Sequence, residues 1–297
     1  MLFGAHVSAA GGISTAIDRI EEIGGNAVQV FTQSPRQWKA TEHTAEEVER
    51  FRARRKQARV KAVACHALYL VNLASRDKEV RSKSFTAMCA TMETARAIGA
   101  DSVVFHPGSH LGYGFGDGLR VLTPALRDLL ELTSDDLWLC LENTAGAGDT
   151  IGRSADELAA LYDALGGHAR LGICIDSCHW WASGVDVSSA AALDAALDEL
   201  DGRIGIERIR CLHVNDAAVP LGANRDRHEV VAQGLIGNGL ATFLGHPAFD
   251  ALPALLETWP KGGLSTGDIG ELRRLHRLGK RRWSDRRRRA ATASSRR

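Results

Sequence analysis

The segment LGICIDSCH, residues 171–179, combines the two features on which the fold prediction depends. Its first five residues are apolar or glycine and do not alternate with polar residues, which is typical of a strand covered on both faces. The run is too short for a typical helix, and it ends on Asp176, with His179 three residues later. We therefore predict a buried parallel strand that carries polar side chains at its carboxyl end.

Seven further runs of the same kind occur along the chain. Helical stretches separate the runs, and two of them begin with a capping box, Thr44 with Glu47 and Ser154 with Glu157. Strands that alternate with helices form a parallel sheet, and eight such units favour a single (β/α)8 barrel of the TIM type. The eight runs are residues 2–7, 27–32, 60–66, 102–106, 137–143, 171–176, 209–215 and 252–258.

Polar residues stand at or near the ends of these runs, where the strands of such a barrel meet on one face. Like-charged carboxylates that meet there repel each other, and a divalent cation removes that repulsion. His179 and the pair Asp226/His228 add mixed nitrogen and oxygen ligands, which favour Zn²⁺ and leave Mn²⁺ or Fe²⁺ open for some of the sites. The sequence thus predicts a metal site at the carboxyl-terminal face of the strands. The residues at the run ends are His6, Gln33, His66, His106, Glu142, Asp176, His213 and Glu257.

The composition is that of a globular protein, with 44% hydrophobic and 25% charged residues, which excludes a disordered or collagen-like chain. No apolar run approaches the length of about 18 residues that a membrane span needs. The N-terminus lacks the basic region of a signal peptide, so we expect a cytoplasmic protein. The six cysteines form no CxxC pair, and we expect them to be reduced and to pack in the core.

Charge is distributed unevenly along the chain. Residues 1–272 contain 25 basic and 35 acidic residues, whereas residues 273–297 contain 12 basic residues and one acid. Toward the C-terminus the chain becomes rich in Arg, Ser and Ala, a composition typical of disorder. We therefore predict one barrel domain, residues 1–278, followed by a basic, disordered tail, residues 279–297.

Nine segments of the chain resemble the endonuclease IV family, in the family's order and with similar spacing. These enzymes are zinc-dependent apurinic/apyrimidinic endonucleases, and the resemblance implies their (β/α)8 barrel. It covers about residues 1–279 and leaves out the basic tail. The segments are GAHVSAAGG (4–12), PRQW (35–38), HALYLVNL (66–73), HPGSHL (106–111), LENTAG (141–146), RLGICIDSCH (170–179), LHVNDA (212–217), DRHE (226–229) and LET (256–258).

The resemblance implies three Zn²⁺ ions and a reaction. The reaction is hydrolysis of the phosphodiester 5′ to an abasic site, which leaves a 3′-OH and a 5′-deoxyribose phosphate; trimming of blocked 3′ ends would be a further activity. Glu142, which bridges two ions, and Glu257, which would orient or deprotonate the attacking water, are the expected catalytic residues. The implied ligands are His66, His106 and Glu142 for the first ion, Glu142, Asp176, His213 and Glu257 for the second, and His179, Asp226 and His228 for the third.

The resemblance also implies contacts with double-stranded DNA that contains abasic sites. Arg36, Tyr69 and Leu70 would probe the DNA and fill the gap left by a flipped nucleotide. We expect a cytoplasmic monomer that is nucleoid-associated when on DNA, with no membrane partner, and a tail that adds salt-sensitive DNA affinity. The residues expected to hydrogen-bond the ligands or bound water are His6, Asn143 and Asn215.

Two other functions remain open at this point. A xylose-isomerase-like sugar isomerase or epimerase would hold its metal with a set such as Glu142, Asp176, His213 and Glu257. Such an enzyme does not need the five additional ligands, which therefore distinguish the two activities. A DNA-damage binding protein that no longer cleaves is the third possibility, and the intact ligand set argues against it. The five additional ligands are His66, His106, His179, Asp226 and His228.

The chain departs from the family pattern in the loop after Asp226. Family members usually continue with a stretch ending in Gly-Glu-Gly, whereas this chain has Ala232, Gln233 and Gly234. A glycine in such a loop often has a positive φ, which strains any other residue. We therefore expect strain at Ala232 and the loss of a charged partner at Gln233.

Overall fold

The computed structural model describes residues 1–294 and contains a closed barrel of eight parallel strands. The barrel strands are β1 (Leu2–His6), β2 (Ala27–Phe31), β3 (Ala62–His66), β4 (Ser102–Phe105), β5 (Trp138–Glu142), β6 (Leu171–Asp176), β7 (Ile209–His213) and β10 (Pro253–Leu256). Each strand pairs with the barrel strand before and after it in the chain, and β1 closes the barrel against β10. The predicted (β/α)8 barrel is confirmed, and each strand lies inside one of the eight predicted runs.

Helices cover the outside of the barrel. They are α1 (Thr15–Glu22), α2 (Ala45–Gln57), α3 (Lys78–Ile98), α4 (Phe115–Leu130), α5 (Ala155–Ala164), α6 (Ser177–Ser183), α7 (Ala190–Arg203), α8 (Leu240–Leu244) and α9 (Thr266–Ser294). Two short antiparallel strands, β8 (Asp216–Ala217) and β9 (His228–Glu229), lie in the loop that follows β7. None of the helices within residues 1–294 has the length and hydropathy needed to cross a membrane.

The two predicted capping boxes are formed to different extents. Thr44 accepts a hydrogen bond from the Glu47 amide, and the Glu47 carboxylate accepts one from the Thr44 amide, so this capping box is complete. Ser154 accepts from the Glu157 amide, but the Glu157 carboxylate accepts from the Gly152 amide at 2.8 Å instead of from Ser154. Both arrangements satisfy amide groups that a helix start leaves free.

The interior of the barrel is filled by small apolar side chains and thiols. Cys174 and Cys211 stand two residues before Asp176 and His213, so they point to the same inner face one layer deeper. This packing confirms that these cysteines fill the core, and it leaves the polar strand ends as the next layer. The residues of this inner cluster are Ala27, Ala64, Val104, Cys140, Cys174, Cys211 and Leu255.

The predicted disorder of the C-terminal tail is wrong for residues 279–294, because α9 continues to Ser294 and the predicted boundary after residue 278 falls inside this helix. A hydrophobic anchor holds the extension in place: Trp283 is buried, donates to the Thr242 carbonyl at 2.8 Å and packs edge-on against His246. Gly279 allows close approach to α8, since a Cβ there would lie 1.8 Å from the Ala241 carbonyl oxygen. Residues 295–297 of the predicted tail lie outside the described residues.

We expect Trp283→Ala to lower the free energy of unfolding by about 3–5 kcal/mol, because it removes a large buried side chain and a hydrogen bond. Urea denaturation followed by circular dichroism measures this change. Trp259→Ala is the matched control: Trp259 is 54% exposed, so its loss should change stability by less than about 1 kcal/mol. Equal stability of the two variants would show that the extension of α9 does not contribute to the fold.

Candidate metal centre

The buried carboxylate of Glu142 lies at the centre of the polar layer at the strand ends. Glu142 is the last residue of β5, and its Oε2 atom lies 3.1 Å from His66 Nε2 and 3.0 Å from His106 Nε2. Its Oε1 atom lies 2.8 Å from His213 Nδ1 and 3.4 Å from His179 Nδ1. Side chains from four strand ends and from α6 therefore meet at one carboxylate.

A second group joins Glu142 to His213 of β7 and to the ends of two further strands, β6 and β10. The ligand atoms of Glu142, Asp176, His213 and Glu257 all lie within 4.8 Å of one another. Asn215 orients two of these carboxylates, because its Nδ2 atom donates to Asp176 Oδ2 at 2.6 Å and to Glu257 Oε2 at 3.1 Å. This group of one imidazole and three carboxylates could hold a metal ion.

A third group lies beside the first two and contains no residue of the barrel strands. His179 Nε2 and His228 Nε2 each lie 3.3 Å from one of the two Asp226 carboxylate oxygens. His179 is in the first turn of α6, whereas Asp226 and His228 belong to the loop after β7. The three predicted ligands are therefore within reach of one ion.

The loop that carries Asp226 and His228 is held by a residue that the sequence analysis did not identify. The buried carboxylate of Asp216 accepts hydrogen bonds from the amides of Gly234, Ile236 and Gly237 at 2.9–3.2 Å. Gly234 is required for this contact, because a Cβ there would lie 2.6 Å from an Asp216 oxygen. The β8–β9 pairing adds a second anchor, since it joins Ala217 to His228.

The carboxylates of the site stay ionised only because positively charged groups lie beside them. Burial alone would raise the pKa of Glu142, but the charges of His213 and His106 hold that pKa well below its usual range. Burial alone would lower the pKa of His213, but Glu257 and Glu142 raise it to about 10. The ionised carboxylates thus persist beside cationic groups, and a divalent ion is a stronger source of the same compensation.

The residues that were predicted to hydrogen-bond the ligands make different contacts in the structure. Asn143 Oδ1 accepts from the Asp176 amide at 2.6 Å, so Asn143 fixes the backbone of Asp176 rather than its carboxylate. Asn215 instead donates to the carboxylates of Asp176 and Glu257. His6 is buried, and its Nδ1 atom lies 3.8 Å from Glu257 Oε1 and 3.1 Å from Gln29 Nε2. Gln33 donates to the Ala87 carbonyl instead of contacting a ligand.

Gln29 connects three side chains of the site, those of His6, Glu257 and His213, although it was not predicted from the sequence. Its Nε2 atom donates to Glu257 Oε1 at 2.7 Å, and its Oε1 atom lies 2.8 Å from His213 Nε2. The signal that could have revealed it is an amide in the middle of the otherwise apolar β2 sequence AVQVF. Its fully buried amide fixes both the Glu257 carboxylate and the His213 ring.

A cleft of about 620 Å³ opens beside the centre and is lined by His6, Arg36, Tyr69 and Trp259 among others. Tyr69 is 58% exposed and packs against Phe31, with 5.2 Å between the ring centroids. Leu70 lines a smaller neighbouring pocket of about 250 Å³ together with Tyr69, His66 and His106. The three residues expected to contact DNA therefore surround the approach to the ligands. Trp259, which the sequence analysis did not identify, extends this surface.

Comparison with known proteins first defines the class of the chain. A family model described as "Xylose isomerase-like TIM barrel" matches residues 17–277. A solved D-tagatose 3-epimerase-like protein shares this fold, with a TM-score of 0.71 at 18% identity over 96% of this chain and 99% of that one. Identity this low indicates a common fold and no more.

Closer relatives define the family within that class. "Probable endonuclease 4" of Chloroflexus aggregans is 38% identical over 262 residues, which cover 88% of this chain and 91% of that protein. The crystal structure of endonuclease IV from Thermus thermophilus has a TM-score of 0.81 and 33% identity, and covers 95% of this chain and 100% of that one. The chain belongs to the endonuclease IV family.

The positive φ expected at Ala232 is confirmed, since this residue has a φ of 66°. The left-handed region costs a residue other than glycine about 1–2 kcal/mol, because Cβ approaches the following carbonyl oxygen. The neighbouring Gln233 side chain is exposed and makes no hydrogen bond with the rest of residues 1–294. Strain is therefore stored in the loop that carries Asp226 and His228.

We expect Ala232→Gly to raise the free energy of unfolding by about 1 kcal/mol, because glycine adopts this φ without strain. Thermal denaturation of the two proteins side by side measures the effect. Ala223→Gly is the matched control in the same loop: Ala223 does not have a positive φ, so this change should leave stability unchanged or lower it. A loss of stability in Ala232→Gly would contradict the assignment of strain.

Proposed function

We propose that this protein is a zinc-dependent DNA-repair endonuclease that hydrolyses the phosphodiester 5′ to abasic sites, with a 3′-OH and a 5′-deoxyribose phosphate as products. The observation that carries the proposal is the convergence of all nine expected ligands around Glu142, in groups whose ligand atoms lie within 4.8 Å of one another. The relatives named endonuclease 4 or endonuclease IV, at 33–38% identity over about nine-tenths of the chain, support the same activity.

The donor atoms fit three Zn²⁺ ions. His66, His106 and Glu142 would hold the first ion, since both imidazoles lie within 3.1 Å of the same Glu142 oxygen. Glu142 would also bind the second ion, so that it is a ligand of both. Imidazole nitrogen and carboxylate oxygen are ligands that zinc prefers in proteins. The second ion would be completed by Asp176, His213 and Glu257, and the third would be held by His179, Asp226 and His228.

The proposed reaction gives Glu257 and the two amides that contact it specific roles in hydrolysis. When bound, divalent metal ions lower the pKa of a water molecule and stabilise the negative charge that develops on the phosphate. Glu257 is 10% exposed, whereas Glu142 is fully buried, so Glu257 is the carboxylate that can orient a water molecule and accept its proton. Gln29 and Asn215 keep Glu257 in position, because each donates to one of its two carboxylate oxygens.

The cleft beside the ligands suits a damaged duplex. Tyr69 lines both the cleft and the smaller pocket, and Leu70 lines the smaller one, so the pair could act as an apolar wedge that fills the space left by an extruded nucleotide. Arg36 is exposed, also lines the cleft and would contact the phosphate backbone. Extrusion costs least where pairing is already lost, which favours abasic sites over intact DNA.

The sugar isomerase alternative is not favoured. Glu142, Asp176, His213 and Glu257 would suffice for such an enzyme, but they do not explain the third group at His179 or the two imidazoles on Glu142 Oε2. Burial of the imidazoles of His66 and His179 carries a desolvation penalty, which a bound metal ion would offset. The five additional ligands therefore support phosphodiester hydrolysis.

We expect the purified protein to cleave a synthetic abasic duplex without added Mg²⁺. Glu142→Gln should lower the single-turnover rate on the order of 1,000-fold, because an amide bridges two metal ions poorly and several kcal/mol of charge stabilisation are lost. Glu199→Gln is the matched control on the exposed side of α7 and should cleave normally. Near-normal cleavage by Glu142→Gln, or a strict requirement for Mg²⁺, would refute the proposed site.

We expect Gln29→Leu to weaken metal retention and activity about 10–100-fold, because Glu257 and His213 lose the amide that orients them. Titration with a chelator, with metal release measured by a colorimetric indicator, provides a readout independent of cleavage. Gln33→Leu is the matched control, since the buried Gln33 amide bonds a backbone carbonyl and no ligand. If both variants release metal at the same chelator concentration, Gln29 does not position the ligands.

A further inference from the structure

The C-terminal part of α9 is an ordered basic extension beyond the matched family region, which ends at residue 277. Several contacts hold it against the outer helices in addition to Trp283. Arg286 pairs with Asp194 of α7, and Arg282 donates to the Asn238 carbonyl at 3.1 Å. These two arginines make contacts within the protein, whereas some other arginines of α9 make none and can bind a partner.

Three of these other arginines form what we call the arginine stripe: Arg277, Arg281 and Arg288. Their spacing of four and seven residues places them on one face of the helix, away from the face that buries Trp283. All three are exposed, and none of their side chains makes a hydrogen bond or ion pair with the rest of residues 1–294. The stripe spans about 16 Å, a length over which duplex DNA carries about ten phosphate charges.

The stripe begins at the end of the barrel opposite the candidate metal centre. Lys280 pairs at 2.6 Å with Asp250, which lies three residues before the start of β10. His276 packs against Phe3 near the start of β1, with 5.5 Å between the ring centroids. From there the stripe runs along the outer helices to α7, where Arg286 pairs with Asp194. The stripe therefore lies on the outer wall of the barrel, whereas the ligands lie at the carboxyl ends of the strands.

The chemistry of the stripe favours a polyanion. Insertion into a lipid surface requires apolar side chains beside the basic ones, and the tryptophan of this segment is buried. A short duplex held at the mouth of the barrel would have to bend sharply to reach the stripe, which costs several kcal/mol. A second duplex segment can reach the stripe without that bend.

We infer that the arginine stripe binds the phosphate backbone of a second segment of double-stranded DNA, while the metal centre faces the first. This inference rests on the proposed function, because that function brings the chain to DNA. The contact is independent of sequence, and each phosphate contact adds about 0.9 to the salt dependence of binding. The stripe would keep the enzyme on DNA and allow transfer between neighbouring segments.

A two-duplex capture assay tests the inference with the full-length, metal-loaded protein. One undamaged duplex of about two helical turns is immobilised, the protein is added, and retention of a second, fluorescent duplex is measured between about 50 and 200 mM salt. The test variant is Arg277→Gln/Arg281→Gln/Arg288→Gln. The matched control is Arg50→Gln/Arg52→Gln/Lys56→Gln, which removes three exposed, unpaired positive charges from α2 and so changes the net charge equally.

We expect the stripe variant to capture about tenfold less of the second duplex than the wild type, with a salt slope smaller by up to about 2.7. The α2 control should capture within about twofold of the wild type. Undiminished capture by the stripe variant, an equal loss in the control, or capture of RNA or anionic vesicles in place of DNA would overturn the inference. Incision of an abasic duplex at saturating concentration tests the proposed function separately, and both triple variants should retain it.

Discussion

The fully buried carboxylate of Glu142 imposes the constraint on which the rest of the site depends. A carboxylate at such a depth is unfavourable by several kcal/mol unless positive charge or hydrogen-bond donors surround it. Closure of the barrel supplies them, because it brings the ends of β3 and β7 and the first turn of α6 to within 3.4 Å of its two oxygens. The four histidines around Glu142 compensate the charge in part, and the geometry they adopt is one that metal ions can use.

The packing layer below the ligands determines where the ligands lie. Inward positions repeat every second residue along a strand, so Cys140, Cys174 and Cys211 stand one layer below Glu142, Asp176 and His213. Five of the seven side chains in this layer are thiols or alanines, which are small enough to pack inside the closed barrel. A change of volume in that layer would therefore move the carboxylates and imidazoles above it. The apolar core and the metal centre form one continuous structure.

Sequence patterns predicted the ligands whose place depends on their position along a strand. They did not predict residues whose role depends on a contact with a distant part of the chain. The ligands at the ends of the strands follow from the repeat of apolar runs, because a parallel barrel presents all its strand ends on one face. Gln29 and Asp216 were missed, since an amide inside a strand or an acid after one has no periodicity that reveals its contacts. The tail was predicted as disordered from its local composition. Composition carries no information about tertiary contacts, such as the hydrogen bond from Trp283 to the Thr242 carbonyl of α8.

The parts of the site differ in how firmly the fold determines them. Closure of the barrel fixes the positions of the residues at the strand ends, and Glu142, Asp176, His213 and Glu257 belong to this set. The third group instead depends on the seven-residue helix α6 and on a loop held by Asp216. The strained Ala232 lies in that loop, where an irregular backbone tolerates a positive φ that a strand would not. Three of the five ligands that distinguish the proposed phosphodiester hydrolysis from sugar chemistry thus lie in the least regular part of the barrel face, whereas His66 and His106 lie at the ends of barrel strands.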